Sequence, residues 1–274
     1  MLNRENHPLR QLELSFQPPL AWDCMLAFWQ ARTLNEVEWV DSGRYGRTFC
    51  YLQQPGWFEV AAKTAHSLTL TLHWPATQGL SSLLPNLRRL LDLDADILQI
   101  EQHLLGHPLF RDGIIHGLRI PGLWNNWEAG VRAILGQQVS VAGARTQLNR
   151  LVQALGEAIT QNKRLFPTPE AVLASDLSMI KVPALRRQTL RDLAALMLAQ
   201  PEATPEQWLN IKGIGPWTSN YARMRGQRDS DIWLAGDLGI QKALARTTNQ
   251  TVNSDTLAPW RSYATFQLWL QKGG

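Results

Sequence analysis

The stretch from Leu209 to Asp237 limits what this chain can fold into more than any other part of the sequence. It places two glycines, Gly213 and Gly215, on either side of Ile214, with an apolar helix-forming run before them and a second helical run after them. A tight hairpin between two helices needs a residue with positive φ, which glycine adopts without steric penalty. The sequence therefore predicts a helix, a hairpin and a helix over about residues 204–226.

The predicted hairpin also has the chemistry of an anion site. A glycine has no Cβ, so its backbone N–H group can come close to a phosphate oxygen of another molecule. The helix that follows begins with unpaired N–H groups and a partial positive charge, both of which favour an anion. Because only backbone groups are involved, such a site would hold a phosphate without reading base sequence.

Charge and cysteine content narrow the class of protein. The chain has 274 residues, with 27 Lys and Arg against 23 Asp and Glu, a net charge of +4 and a pI near 9.3. This balance is compatible with a polyanionic partner but does not require one. The two cysteines, Cys24 and Cys50, are too few for an iron–sulfur cluster and lack metal-ligand spacing, so we expect reduced thiols and no metal site.

The beginning of the chain carries no apolar segment of the kind found in a signal peptide. Its first residues, MLNRENHPLRQLEL, are polar and charged, and no run approaches the roughly 18 apolar residues of a membrane span. We therefore expect a soluble protein of the cytoplasm.

Residues 1–92 are predicted to form a small α+β domain. Apolar and polar residues alternate with a period of two, which is typical of half-buried strands, and Gln54-Pro55-Gly56 indicates a turn. The pattern predicts an antiparallel sheet and two helices, with strands at Leu12–Phe16, Arg47–Gln53, Trp57–Lys63 and Ser67–Trp74 and helices at Ala21–Ala31 and Gly79–Leu91.

Residues 93–274 are predicted to be mostly α-helical, because strand patterns nearly vanish after about Leu91. The charge-rich segment at the change of class is too short for a flexible tether, so we expect the two parts to pack together. Besides the hairpin pair, the periodicity predicts helices at Ala95–Leu105, Asn126–Val139, Ala142–Leu155, Pro169–Ala174, Ala184–Ala199, Thr204–Asn210, Asp237–Ala245 and Trp260–Gln271.

Several motifs resemble those of one enzyme superfamily. The two hairpin glycines, Trp217-Thr218 and the loop aspartate Asp237 are similar to the helix-hairpin-helix, Gly/Pro-rich loop and aspartate signature of the DNA glycosylases. Four further motifs resemble the bacterial alkylation-repair branch, 3-methyladenine DNA glycosylase II, and they are GLRIPG (117–122), EAGVRAILGQQVS (128–140), FPTPE (166–170) and PWRSYA (259–264). Because matches run from Gln17 to Trp269, the resemblance covers nearly the whole chain.

This resemblance implies a helix-hairpin-helix glycosylase fold and a base-excision repair activity. The enzyme would flip an alkylated purine such as 3-methyladenine out of duplex DNA and hydrolyse its N-glycosidic bond. Trp217 stands where bifunctional relatives carry a lysine that forms a Schiff base, so the enzyme should be monofunctional. The resemblance implies no cofactor, allows a monovalent cation that bridges the hairpin to a DNA phosphate, and favours a monomer.

Asp237 is the predicted catalytic residue, on a loop at about residues 227–238. From its position alone, an aspartate before LGIQKAL is most often a helix N-cap. The resemblance makes it also the carboxylate that faces C1′ of the deoxyribose, where it would stabilise an oxocarbenium-like state and orient a water molecule. Capping and catalysis are compatible with each other.

The remaining site residues follow from the resemblance. An N-alkylated purine is cationic, and aromatic faces attract a cation by about 0.5 to 2 kcal/mol. For each of these aromatics the alternative is packing in the core, where most of the 12 tryptophans are expected to lie. The base pocket is assigned to Trp217, Tyr221, Trp269, Phe28 and Trp22, the DNA contacts to Gly213, Ile214, Gly215 and Thr218, and the apolar wedge in the DNA stack to Ile120.

Departures from the family pattern leave the range of substrates open. The branch often has an acid before the catalytic aspartate and an aromatic after it, whereas this chain has Gly236 and Leu238. Gln137-Gln138 match a superfamily feature, for which the sequence suggests only amide hydrogen bonds. Two other functions stay open, a glycosylase for oxidised or mismatched bases and a non-catalytic helix-hairpin-helix DNA-binding protein.

Overall fold

The computed structural model describes residues 9–76, 78–247 and 252–270, and it begins with a five-stranded antiparallel sheet. The strands lie in the order β1-β5-β4-β3-β2. Their inward-facing side chains, among them Tyr45, Phe58 and Leu70, have no exposed surface. The strand bounds are β1 (Arg10–Ser15), β2 (Glu38–Asp41), β3 (Arg44–Tyr51), β4 (Gln54–Thr64) and β5 (Ser67–His73).

The turn between β3 and β4 lies before the predicted Gln54-Pro55-Gly56. Leu52 and Gln53 both have positive φ, at 49° and 59°, as a two-residue hairpin turn requires. Pro55 and Gly56 already pair with Cys50 and Phe49 inside the ladder. Gly56 is a glycine for a packing reason, because a Cβ there would come within 2.9 Å of Phe49 and Trp74.

The rest of the described chain is mostly helical, which confirms the predicted fold class. Helix α1 packs on the sheet, where its Trp29 stacks on Tyr45 with ring centroids 4.1 Å apart. None of the described helices combines the length and hydrophobicity of a membrane-spanning segment. The helices are α1 (Trp22–Gln30), α2 (Leu80–Leu91), α3 (Ile97–Leu105), α4 (Asn126–Gly136), α5 (Val141–Leu155), α6 (Pro169–Ala174), α7 (Ala184–Ala199), α8 (Pro216–Ala222), α9 (Leu238–Thr247) and α10 (Arg261–Leu270).

Some local elements differ from the sequence prediction. Strand β2 and a small hairpin of β6 (Ala158–Thr160) and β7 (Lys163–Arg164) are too short to give a clear alternating pattern. The helix predicted at Thr204–Asn210 is only a 3-10 turn, at Gln207–Asn210. Residue 271, the predicted last residue of α10, lies outside the described residues.

A buried ion network joins the sheet to the helical part. Arg47 of β3 contacts Glu128 of α4 at 2.7 Å, and Arg132 of α4 contacts Glu38 of β2 at 2.6 Å. All four side chains are less than 10% exposed. Burial alone would raise the pKa of Glu128, but the guanidiniums of Arg47 and Arg132 hold that pKa at about 2. The network therefore fixes α4 against the sheet with matched charges.

Candidate active site

Four hydrogen bonds hold the carboxylate of Asp237 at the start of α9. Its Oδ1 accepts from the N–H groups of Gly239 and Ile240, at 2.8 and 3.1 Å, which is the helix-capping role that the sequence indicated. The same Oδ1 accepts from Trp269 Nε1 at 3.0 Å, and Oδ2 accepts from Trp217 Nε1 at 3.1 Å. Since Oδ2 has one partner among the described residues, it is the oxygen that keeps hydrogen-bonding capacity.

Gly239 makes room for this arrangement. A Cβ at position 239 would lie 2.9 Å from Asp237 Oδ1 and 3.3 Å from the Trp269 ring. Any side chain there would push the carboxylate or the indole out of place. The glycine therefore allows the cap and the indole to share one oxygen.

Three of the predicted pocket aromatics form a cluster at Asp237, in which Trp217 and Trp269 contact the carboxylate and Tyr221 stacks on Trp217. Trp217 and Tyr221 lie one turn apart on α8 and stack with ring centroids 5.5 Å apart. Trp269 approaches from α10, where its ring packs edge-on against Phe266 at 5.1 Å. All three residues are partly exposed to solvent.

Phe28 lies behind these rings rather than among them. It is 2% exposed and contacts Phe266 at 5.4 Å, on the side away from solvent. Two guanidiniums cover it, Arg32 at 3.9 Å and Arg225 at 4.9 Å from the ring centroid. Phe28 is therefore buried behind the exposed aromatics, and its role as a stacking residue stays a prediction.

Trp22 belongs to the core of the N-terminal part. It is 9% exposed, packs edge-on against Trp29 and donates its Nε1–H to the carbonyl of Gly43 at 3.0 Å. No contact links it to Asp237 among the described residues. Its assignment to the base pocket is therefore contradicted, because a core tryptophan and a pocket tryptophan look alike in the sequence.

Ile120 is also a core residue. It has no exposed surface, and its N–H donates to the carboxylate of Asp92 at 2.9 Å. Asp92 also accepts from Tyr263 at 2.9 Å and pairs with Arg228, which anchors the GLRIPG loop to α2 and α10. This burial contradicts the prediction that Ile120 enters the DNA stack.

The exposed loop near the hairpin is a different one, between α4 and α5. Gln138 has a positive φ of 55° and is exposed, and Val139 is 45% exposed. Gln137 ties this loop to the hairpin, because its Nε2 donates to Gly213 O and to Thr218 Oγ1, both at 2.9 Å. The paired glutamines were visible in the sequence, but only the fold puts them beside the hairpin.

The structure explains the presence of glycine differently at the two hairpin positions. Gly213 has a φ of +96°, and a Cβ there would lie 2.2 Å from Thr189 Oγ1, so the fold itself requires glycine. Gly215 has an ordinary φ of −109°, and a Cβ there would meet nothing within 4 Å. The backbone N–H groups of Gly213, Gly215 and Trp217 donate to no acceptor among the described residues.

Ile214 and Thr218 hold the hairpin from inside. Ile214 is 6% exposed and lies in the helical core, and the Thr218 hydroxyl is buried against Gln137. The Thr218 N–H donates to Gly215 O at 3.0 Å, so that group is already bonded. Their side chains therefore shape the hairpin from inside, and a contact of these two residues with DNA stays a prediction.

The two residues next to Asp237 in the chain are exposed. A Cβ at Gly236 would meet nothing within 4 Å, and Leu238 is 61% exposed. In the described part of the chain no bulky side chain closes the site at these two positions.

Residues 11–125 match the family described as the AlkA N-terminal domain. The chain is 33% identical to DNA-3-methyladenine glycosylase 2 of Escherichia coli, over 95% of this chain and 97% of that protein. It is 32% identical to a probable bifunctional transcriptional activator/DNA repair enzyme AlkA of Mycobacterium tuberculosis, over 94% of this chain and 56% of that protein.

Solved structures are similar in fold. A 3-methyladenine DNA-glycosylase from Archaeoglobus fulgidus superposes with a TM-score of 0.78 at 18% identity, covering 94% of this chain and 97% of that one. The structure of MBOgg1 in complex with a low-affinity DNA ligand gives 0.71 at 16% identity, covering 97% of each chain. At these identities the likeness establishes the architecture alone.

Proposed function

The chain belongs to the family of DNA-3-methyladenine glycosylase 2, and we propose that it removes alkylated purines from duplex DNA with Asp237 as its catalytic carboxylate. The family relationship makes it an alkylation-repair DNA glycosylase, a hydrolase of N-glycosidic bonds. We further propose the catalytic residue, the base pocket and the damaged bases that it accepts. We also propose that the enzyme is monomeric and cytoplasmic.

The observation that carries the proposal is the environment of Asp237. A carboxylate fixed by four donors, with one oxygen still able to accept, suits electrostatic stabilisation of a positively charged sugar. When the bond between C1′ and the base breaks, the deoxyribose develops oxocarbenium character. Oδ2 of Asp237 would face that charge and take the proton of the water molecule that attacks C1′.

The partly exposed rings of Trp217, Tyr221 and Trp269 supply the proposed pocket. Trp217 and Trp269 donate to Asp237, Tyr221 stacks on Trp217, and this partly exposed cluster is where we propose that a flipped base binds. Stacking would hold any purine, and the π faces would add about 0.5 to 2 kcal/mol for a cationic one. Trp217 has no amine, so a Schiff-base intermediate is not part of the mechanism.

The hairpin provides the proposed grip on the DNA backbone. Three N–H groups of one turn, at Gly213, Gly215 and Trp217, have no acceptor in the described part of the chain, and they suit a phosphate. The carbonyls of Leu209 and Ile214 accept no hydrogen bond from the described residues. They are oxygen donors of the kind that a bridging monovalent cation would need, and that cation remains part of the proposal.

Gln138 replaces Ile120 as the residue proposed to fill the gap left by the flipped nucleotide. It projects from an exposed loop that Gln137 fixes to the hairpin. Its left-handed backbone is uncommon for a residue other than glycine, and such backbone strain clusters at functional sites. An amide side chain at this place would meet the opposite base or the neighbouring base pairs.

The test of this function is mass spectrometry of the bases released from methylated duplex DNA. The wild-type chain should release 3-methyladenine, while Asp237→Asn, which keeps the shape and removes the charge, should release none and still bind the damaged duplex. Near-normal release by Asp237→Asn would move catalysis elsewhere. Binding without any release by the wild-type chain would favour the non-catalytic alternative, and a borohydride-trapped adduct would contradict hydrolysis.

A further inference from the structure

A buried guanidinium contacts the one pocket ring that carries a hydroxyl group. Arg225 is 2% exposed, and its Nη1 donates to the hydroxyl oxygen of Tyr221 at 3.1 Å. Its Nε donates to the carbonyl of Pro121, which fixes the guanidinium in place. Among the described residues, Arg225 has no carboxylate within ion-pair distance, so its charge is not neutralised by a salt bridge.

This contact settles the direction of the Tyr221 hydroxyl. A guanidinium has only N–H donors, so the tyrosine oxygen must be the acceptor of this hydrogen bond. The hydroxyl proton then points elsewhere, and no described residue accepts it. Tyr221 stacks on Trp217, whose indole binds Asp237, so the unused proton belongs to a ring of the proposed base pocket.

A second cation strengthens the positive potential behind the pocket. The guanidinium of Arg32 lies 3.9 Å from the ring centroid of Phe28 and donates to the backbone carbonyl of Phe28. Burial lowers its pKa to about 10, which leaves it charged at neutral pH. The π faces of the pocket therefore attract a cationic base, whereas the positive charges of the two guanidiniums behind them repel it.

The chemistry of the leaving group explains what such a donor can do. When the bond from C1′ to N9 breaks, both bonding electrons leave with the base. An N-alkylated purine that carries a positive charge departs as a neutral molecule. A neutral damaged purine, such as hypoxanthine, departs as an anion, while water forms the new bond to C1′ and gives its proton to Asp237. The released anion then takes a proton from bulk water.

We propose that Tyr221, with its hydroxyl polarised by Arg225, donates a hydrogen bond to the departing base and so extends excision to neutral damaged purines. This inference rests on the proposed glycosylase function. Tyr221 would touch the base directly, and Arg225 acts through Tyr221 as a positioning residue. Hydrogen bonds strengthen when the acceptor becomes charged, so the contribution is larger for a base that leaves as an anion than for one that leaves neutral.

The test compares two matched duplexes under single-turnover conditions, one with hypoxanthine and one with 7-methylguanine. Tyr221→Phe keeps the stacked ring and removes the donor, so both releases should slow, hypoxanthine by about ten- to hundredfold more. Arg225→Gln should also lower the ratio of the hypoxanthine rate to the 7-methylguanine rate. Added to Tyr221→Phe, it should lower this ratio no further. The ratio does not depend on the fraction of folded enzyme.

The control is a second buried guanidinium that serves only the fold. Arg119 has no exposed surface and donates to backbone carbonyls, among them Ala95 O at 2.8 Å. Arg119→Gln should destabilise the protein without changing the ratio. An unchanged ratio in Tyr221→Phe, or a wild-type enzyme that releases 7-methylguanine but no hypoxanthine, would overturn the inference alone. Release of neither base would refute the proposed function itself.

Discussion

Trp269 has two proposed roles that experiment can separate. Its N–H donates to Asp237 Oδ1, and the residue is partly exposed. The first role holds the catalytic carboxylate in place, whereas the second would bind the base. Because both lie in one side chain, an alanine at this position would remove them together and explain neither.

We expect Trp269→Phe and Trp269→Leu to differ in substrate preference. The phenylalanine keeps an aromatic face and loses the N–H, so release of 7-methylguanine and hypoxanthine should slow about tenfold in equal measure. The leucine also loses the π face, so it should penalise the cationic base by a further twofold to thirtyfold. Single-turnover rates on both duplexes measure this. Wild-type rates in Trp269→Phe would show that the indole N–H is dispensable.

Gly215 gives the residue-scale test of the phosphate grip. Nothing in the fold fills the space where its Cβ would be, so Gly215→Val should leave the melting temperature nearly unchanged. It should weaken binding to damaged and undamaged duplexes equally, by about tenfold, if a phosphate approaches there. Gly106→Val is the control, since a Cβ there meets its nearest atom at an ordinary 3.4 Å. Weakening on the damaged duplex alone would assign Gly215 to the base pocket instead.

At the scale of elements, α10 supports the loop that carries Asp237. Arg261 binds Asp231 through two hydrogen bonds of 2.7 and 2.8 Å. Ser262 donates to Asp229 O at 2.6 Å and accepts from Ile232 N at 2.9 Å. These contacts explain the PWRSYA motif physically, because it connects one end of the last helix to the catalytic loop.

The ion pair between Arg261 and Asp231 should affect the rate of base release more than the free energy of unfolding. Asp231→Asn should slow base release about tenfold, because a loop shifted by an ångström misplaces Asp237. The matched control is Glu36→Gln, whose pair with Arg164 has the same 2.7 Å contact and nearly the same exposure. Each change should cost less than about 1 kcal/mol in the free energy of unfolding. Equal rates in the two variants would show that the pair supports the fold only.

At the scale of the whole molecule, the network of Glu38, Arg47, Glu128 and Arg132 joins the sheet to the helices. Arg132→Met leaves two buried carboxylates short of a partner, which should lower the free energy of unfolding by about 3 to 5 kcal/mol at pH 7. Urea unfolding of both proteins measures this difference.

The pH dependence of that difference follows from the lowered pKa of Glu128. Since its folded pKa of about 2 lies below the ordinary value of 4.5, it contributes stability above pH 4.5 that is lost as the pH falls toward 2. The variant lacks much of this contribution. The gap between wild type and Arg132→Met should therefore narrow as the pH falls from 4.5 toward 2, and a constant gap would contradict the role of Glu128.

The sequence alone determined the elements and the hairpin of this protein. Alternation predicted four of the five strands of the large sheet near their observed places, and helical periodicity predicted most of the long helices. Gly213 needed glycine for its backbone, and Asp237 was readable as a helix cap. These are local properties, set by φ, by periodicity and by the chain within a few residues.

Only the tertiary structure decided which side chains meet. Trp217 and Trp269 converge on one carboxylate, whereas Trp22, Phe28 and Ile120 are buried away from it. Periodicity reports that a side chain faces inward, but a core aromatic and a pocket aromatic follow the same pattern. Which of them keeps an open face depends on neighbours from distant parts of the chain, and those neighbours are fixed only when the elements pack.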